Sequence, residues 1–257
     1  MLYVGDASAG AKLSWDHFIG MRHVIEQIPL QPKLMVSDPS IRSNTPRLSV
    51  SLNLNDTIDT QMQATFVADQ VAFWKKLEAS HDRLQLKSRS KRNELTGALA
   101  DASTDDQIAY FYCHAESANL ATAGGPDASQ LILSDDAVSL GDLNLDAPTT
   151  TQLAGNPLVF INACESAQMS SAFYDGFVPY FMAKGARGVV GTECNTPALF
   201  ATVWAQRFFE RFLEGESLGE VFLGLRKEFL EQHGNPLGLI YAVHCDGDTR
   251  VQPALSG

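Results

Sequence analysis

Pro157-Leu158-Val159-Phe160-Ile161-Asn162-Ala163-Cys164-Glu165-Ser166-Ala167 is the stretch that decides the fold. Leu158 to Ile161 is unbroken and apolar, with β-branched residues on either side of an aromatic ring. So short a run reads as a strand buried on both faces, the pattern of a parallel sheet. It stops abruptly at small and polar residues, and in open α/β sheets the carboxyl ends of strands carry ligands and chemistry. The run therefore delivers Cys164 to such an edge. Ile108-Ala109-Tyr110-Phe111-Tyr112-Cys113-His114-Ala115-Glu116 does the same with a histidine. The two lie 50 residues apart (164 − 114), histidine first.

Working outward, Arg47 to Asn55 alternates apolar Leu48, Val50, Leu52 and Leu54 with Ser49, Ser51 and Asn53, a half-buried strand. The next helix opens at Thr60 with Gln63 three residues on, a capping-box spacing, and carries the stripe Phe66, Val67, Val71, Trp74 and Leu77. Arg83 to Lys87 is a short strand and Lys91 to Ala100 a helix, so two βα units precede the His114 strand, the signature of a largely parallel sheet. Beyond it, Gln130 to Leu140 reads as a hairpin and Leu143 to Leu153 as a connector. Gly188 to Glu193 is another short parallel strand. Pro197 to about Leu213 is a helix. Ser217 and Glu220 box the start of a second helix, which Gly234 and Pro236 stop. Leu239 to Val243 is a final buried strand. Residues 1–46 are poorly periodic and form an N-terminal extension or linker, with an amphipathic helix spaced over Ser14 to Ile28; residues 47–257 form the domain. The reading is a three-layer α/β domain with a mostly parallel sheet and helices on both faces.

Bulk properties narrow the partners. Nineteen Lys+Arg against 30 Asp+Glu give a net charge of −11, which argues against nucleic acid as a direct partner. No stretch approaches the ~20 apolar residues that span a bilayer, and the start lacks the pattern of a signal peptide. The cysteines, Cys113, Cys164, Cys194 and Cys245, form no C-x-x-C, and the histidines are not spaced as zinc ligands. Free thiols suit a reducing, cytoplasmic compartment. Cys113, Cys194 and Cys245 read as buried packing residues, because free Cys is among the most buried residue types. His17, His23 and His81 read as exposed or packing residues.

A cysteine hydrolase needs a thiolate, a base to form it and donors for the oxyanion. If the His114 and Cys164 strands are neighbours, about 5 Å apart, the two side chains meet across the edge. Histidine first by about 50 residues is also the caspase arrangement. The two stretches, Tyr110 to His114 and Val159 to Ala167, resemble the catalytic motifs of CHAT-domain proteins, caspase-like peptidases common in bacteria. The resemblance continues through Ala183-Lys184-Gly185-Ala186-Arg187-Gly188-Val189-Val190-Gly191-Thr192-Glu193, the helices after Pro197, and Pro236 to Tyr241, covering roughly Leu48 to Val251.

The resemblance implies a caspase-like fold with His114 as general base and Cys164 as nucleophile, acting on a protein or peptide substrate without metal or other cofactor. The backbone N–H groups of Ala115 and Cys164 then form the oxyanion hole. Ala115 stands where many relatives have Gly, so its φ must be negative. Relatives act in bacterial regulation or defence and are often held inactive until a sensor domain or partner protein reorders the site. Caspase-like folds line the pocket for the residue before the cut (P1) with the strand after the cysteine strand. There Glu193, with Glu165 as a second candidate, would favour a basic P1 side chain; alternatively Glu193 caps the helix near Pro197. Two further readings stand beside this one. Asn162 to Ser166 could serve as the nucleophile elbow of an α/β-hydrolase, with His233 or His244 as base. The domain could also be a non-catalytic scaffold.

Overall fold

The computed structural model describes residues 3–5, 8, 10, 12–27, 38–117, 125–163 and 171–255, with side chains throughout except at 125, 126 and 171–175. Trp15–His17 makes a 3-10 turn and α1 (Ile19–Arg22) a single helical turn. The helix spaced over 14–28 goes no further because tertiary bonds take its backbone. Arg226 claims the Gly20 carbonyl, and Gln27 N–H donates to Val243 O in extended chain.

After β1 (Ser40–Ile41) comes β2 (Leu48–Leu54), every residue of which is buried. Its polar face is therefore not solvated as alternation predicts. Ser49 Oγ donates to Asp106 at 3.1 Å, and Asn53 Nδ2 to Tyr110 O at 3.2 Å. α2 (Thr57–Met62) ends where Gln63 turns left-handed at φ 50°, and α3 (Phe66–Ser80) starts afresh. Thr60 thus sits inside α2 and caps nothing. The cap of α3 is Asp59, whose carboxylate accepts from Val67 N at 2.8 Å and Ala68 N at 2.9 Å. β3 (Leu84–Arg89), α4 (Arg92–Ala100) and β4 (Ile108–Glu116) follow. The hairpin is β5 (Gln130–Ile132) and β6 (Ala137–Ser139), and the connector holds α5 (Leu140–Asp146).

β7 (Leu158–Ala163) is followed by α6 (Ser171–Ala183), whose internal Pro179 hides it from a sequence reading. β8 (Gly188–Thr192), α7 (Ala198–Phe212) and α8 (Leu218–His233) then form as patterned. Ser217 and Glu220 make both capping-box bonds, and Gly234 ends α8 at φ 62°, a conformation Gly adopts without a Cβ clash. β9 (Tyr241–His244) and β10 (Arg250–Val251) close the chain.

The main sheet runs β3-β2-β4-β7-β8-β9, the first five strands parallel and β9 antiparallel; β1 and β10 pair separately. Strand alternation sorts side chains cleanly between two cores. Tyr110, Tyr112, Phe160 and Val190 pack with Trp74 of α3, Phe208 of α7 and Phe222 of α8. Phe111, Cys113, Val159, Ile161 and Val189 pack on the opposite face with Leu95 of α4, Leu143 of α5 and Phe177 of α6. This is the three-layer α/β arrangement, helices covering both faces. No helix among the described residues is long and apolar enough to cross a membrane.

Candidate active site

At the carboxyl edge β4 and β7 remain paired up to Cys113 opposite Ala163. Ala163 is the last described residue of β7, and β4 runs on to Glu116 by changing partner on its other side, with His114 opposite Ile132 of β5. His114 is thus not the last residue of its strand but the first beyond the parallel ladder. Cys164 and Glu165 lie outside the described residues; in the sequence Cys164 is the residue bonded to Ala163.

Alternation puts His114 on the Tyr110–Tyr112 face of the sheet, where α2 meets it. The ring is half-buried, and its Nε2 lies 3.1 Å from Gln61 Oε1. Ala115, fully buried, sits opposite Leu131 within the β4–β5 ladder. Its φ is not left-handed, since among the described non-glycine residues only Gln63 and Asn156 have positive φ. The backbone here does not demand glycine.

Beneath this edge lies a buried polar lattice that sequence reading missed. Asn162, fully buried, donates to Ala201 O at 2.8 Å and Tyr110 Oη at 3.2 Å, and accepts from Tyr241 Oη at 2.7 Å. Tyr110 passes its proton bond to Gln70 Oε1 at 3.0 Å, and Gln70 Nε2 donates to Thr202 O at 3.0 Å. One amide thereby joins β7 to β4, α7 and β9 two residues before Cys164. The available signal was polar Asn162 and the two tyrosine hydroxyls inside otherwise apolar strands, which must find partners once buried.

Glu193 follows β8 at the same edge, one strand beyond β7 and so about 10 Å across the sheet from β4. It is exposed, and its Oε1 accepts from Gln27 Nε2 at 3.1 Å. Its carboxylate is turned to the Gln27 amide, and no bond from it to the first turn of α7 is seen among the described residues. Glu193 also borders a cavity of about 150 Å³ between α1, the chain to Gln27, and β9, lined by Ile19, Ile25, Leu239 and the buried Arg226. Burial lowers the Arg226 guanidinium to about 10, and it answers by donating to the carbonyls of Gly238, Tyr241 and Gly20.

Three sequence readings need correction or relocation. Cys194 is exposed, not a packing residue, because it leaves β8 with the chain; partial burial and the charge of Glu193 raise its thiol. Cys113 and Cys245 are buried as read. His244 lies at the wrong end of the sheet. β9 is antiparallel, so His244 pairs with Val189, which in turn pairs with Val159. That level is four residues from Ala163, about 13 Å along the strand. Gly188 confirms the close return, since a Cβ there would strike Cys245. His233 is exposed at the end of α8.

The fold and edge define a three-layer α/β protein with a histidine presented where the central parallel strands end. The chain belongs to the CHAT domain family, whose model matches residues 19–232. It is 31% identical over 162 residues to a protein named as a probable protease from Vitiosangium sp. (strain GDMCC 1.1324), covering 58% of this chain. The chain spans about a fifth (20%) of that relative's length. Among solved structures, it is similar to a chain of the Saccharomyces cerevisiae separase–securin complex, with a TM-score of 0.45 and 14% identity over 78% of this chain and 12% of the other.

Proposed function

We propose that this chain is a cysteine endopeptidase in which Cys164 is the nucleophile and His114 the general base. The observation that carries the reading is the register: Cys113 lies opposite Ala163, and the next residue of each chain is His114 and Cys164. His114 shares the face of the sheet that Tyr110 and Phe160 present to the first core. Membership of the CHAT family and the protease name of the relative support the same chemistry.

In this mechanism His114 takes the Cys164 proton and the thiolate attacks the peptide carbonyl carbon. The backbone N–H groups of Ala115 and Cys164 receive the developing oxyanion. The C–N bond breaks as the imidazolium returns its proton to the leaving amine, leaving a thioester. Water, deprotonated by His114, attacks that thioester, releasing the acid and restoring the thiol. The residues doing this chemistry need no metal or other cofactor. Glu193, with Glu165 beside the nucleophile, is the acid that selects a basic P1 side chain. The Gln27 amide now on Glu193 occupies the donor position an arginine or lysine would take. A sensor domain or partner protein, in the remaining length seen in the relative or on a separate chain, governs the site.

The test is turnover of fluorogenic peptides differing at P1, with wild type and Cys164→Ala in parallel, joined to labelling by a peptide electrophile. Cleavage after Arg or Lys, and labelling, that both vanish in Cys164→Ala are expected. Activity that survives Cys164→Ala would refute the dyad; turnover only after other residues would remove Glu193 from the pocket. Absence of both labelling and turnover would favour the second reading, a non-catalytic scaffold.

A further inference from the structure

We propose that Gln61 is the positioning residue of the His114 base, held by a one-way chain of hydrogen bonds that places the imidazole proton on Nε2 and leaves Nδ1 to accept from the nucleophile. The proposal rests on the dyad reading above. The direction of the chain can be derived from groups that have only one role. Asn55 Oδ1 lies 3.0 Å from the Thr57 backbone N–H, which can only donate, so that atom is an acceptor. Asn55 Nδ2 faces the Ile132 carbonyl at 3.1 Å, which can only accept, so the amide orientation is fixed from both sides.

Thr57 Oγ1, 2.6 Å from Asn55 Oδ1, must therefore spend its proton there. It is left as an acceptor for Gln61 Nε2 at 3.2 Å. The other end of that amide, Oε1, is then an acceptor 3.1 Å from His114 Nε2, and the ring nitrogen must donate. Reversing the last bond would turn Gln61 over and set its oxygen against the Thr57 hydroxyl, whose proton is already committed.

The anchors are rigid and the last link is mobile. Asn55 is buried, its backbone N–H donates to Tyr112 O at 2.9 Å, and Ile132 is the residue paired with His114 across β5. The chain of bonds thus leaves β4 and returns to it through the hairpin. Thr57 and Gln61 stand four apart on α2, one above the other on the same helical face. Gln61 is itself exposed, so its hold is that of a single neutral hydrogen bond, worth about five- to tenfold in rate. A neutral amide orients the ring without adding the charge that a carboxylate would bring.

The test uses the full chain labelled with ¹⁵N-histidine. In wild type the His114 ring should show its proton on Nε2 as a hydrogen-bonded N–H resonance. Gln61→Leu should broaden or lose that resonance and lower kcat about five- to tenfold with KM unchanged. Gln61→Glu in a Thr57→Val background, which keeps an acceptor at the same reach without setting a second oxygen against the Thr57 hydroxyl, should restore the resonance. Thr57→Val should act only through Gln61, so the double variant Thr57→Val/Gln61→Leu should be no slower than Gln61→Leu. A wild-type proton on Nδ1, a ring resonance indifferent to Gln61→Leu, or additive effects of the two substitutions would overturn the proposal. The ring resonance is read without turnover, so it separates failure of the relay from failure of the dyad, whose own sign is activity surviving in Cys164→Ala.

Discussion

Two ends of β4 handle polar groups in opposite ways. Just before its start, Asp106 is 3% exposed and saturated: Arg89 at 2.8 Å, Lys87 at 2.8 Å and the Ser49 hydroxyl at 3.1 Å all reach it. Burial works to raise this carboxyl, but Arg89 and Lys87 outweigh it and hold it below the ordinary value of 3.8. Toward the other end, His114 is half-buried and tied through neutral groups to its own hairpin. Each end even has its glutamine. Gln107 is fully buried and accepts the Ser49 N–H at 2.8 Å, whereas Gln61 is exposed on a short helix. The difference teaches a division of labour. A charge surrounded by fixed partners secures the sheet and keeps its proton off to lower pH, while the base proposed at His114 must exchange a proton and is kept where solvent is near.

The comparison breaks most sharply on activity. Cys164→Ala should remove peptide turnover by about 10⁴-fold or more while leaving the urea midpoint unchanged, as initial rates and equilibrium melts would record. Asp106→Asn should do the reverse. Two cations left beside a neutral amide should cost about 3 kcal/mol of unfolding free energy, with kcat retained well below the melting temperature. The pH dependence carries the sign. A carboxyl depressed in the folded state stabilises fully above 3.8 and loses that contribution as pH falls through its lower folded value. The acid limb of stability should therefore be shallower in Asp106→Asn than in wild type.

Smaller effects sharpen the contrast. Gln107→Leu leaves the buried Ser49 N–H without its acceptor and should cost about 2 kcal/mol in a denaturant melt, with no change in KM or kcat. Glu193→Gln should leave stability alone and reduce kcat/KM for Arg and Lys substrates about tenfold, since the carboxylate is exposed and partly screened. Peptides with uncharged P1 residues should be unaffected. Equal losses on both peptide classes would show that Glu193 shapes the edge and does not select the side chain.

How much of this was legible follows from range. Periodicity and capping are local, so β4, β7, β8, α7, the β5–β6 hairpin and the Ser217–Glu220 box can be read from the chain, whereas the pairing of β4 with β7 entered only as a condition. Where local rules failed, a distant partner had taken over. Asp59, not Thr60, caps α3 because it sits beside the restarted helix. Ser51 and Asn53 are buried because α4 covers their face, lining one small cleft with them, and Ser49 is buried against Asp106. α6 was unread because Pro179, tolerated once the helix packs, breaks its pattern.

By itself the sequence determined the layered α/β class and the placing of His114 toward a sheet edge, since strand burial and βα alternation follow from short-range hydrophobic spacing, and its motifs carried the resemblance to the family. Only the tertiary structure decided that β9 runs antiparallel and carries His244 to the far edge, that Asn162 and Tyr241 lock β7 beneath its end, and that Gln61 stands on the histidine. Those facts depend on which groups, dozens of residues apart, must share hydrogen bonds once water is excluded, and no spacing along the chain encodes that pairing.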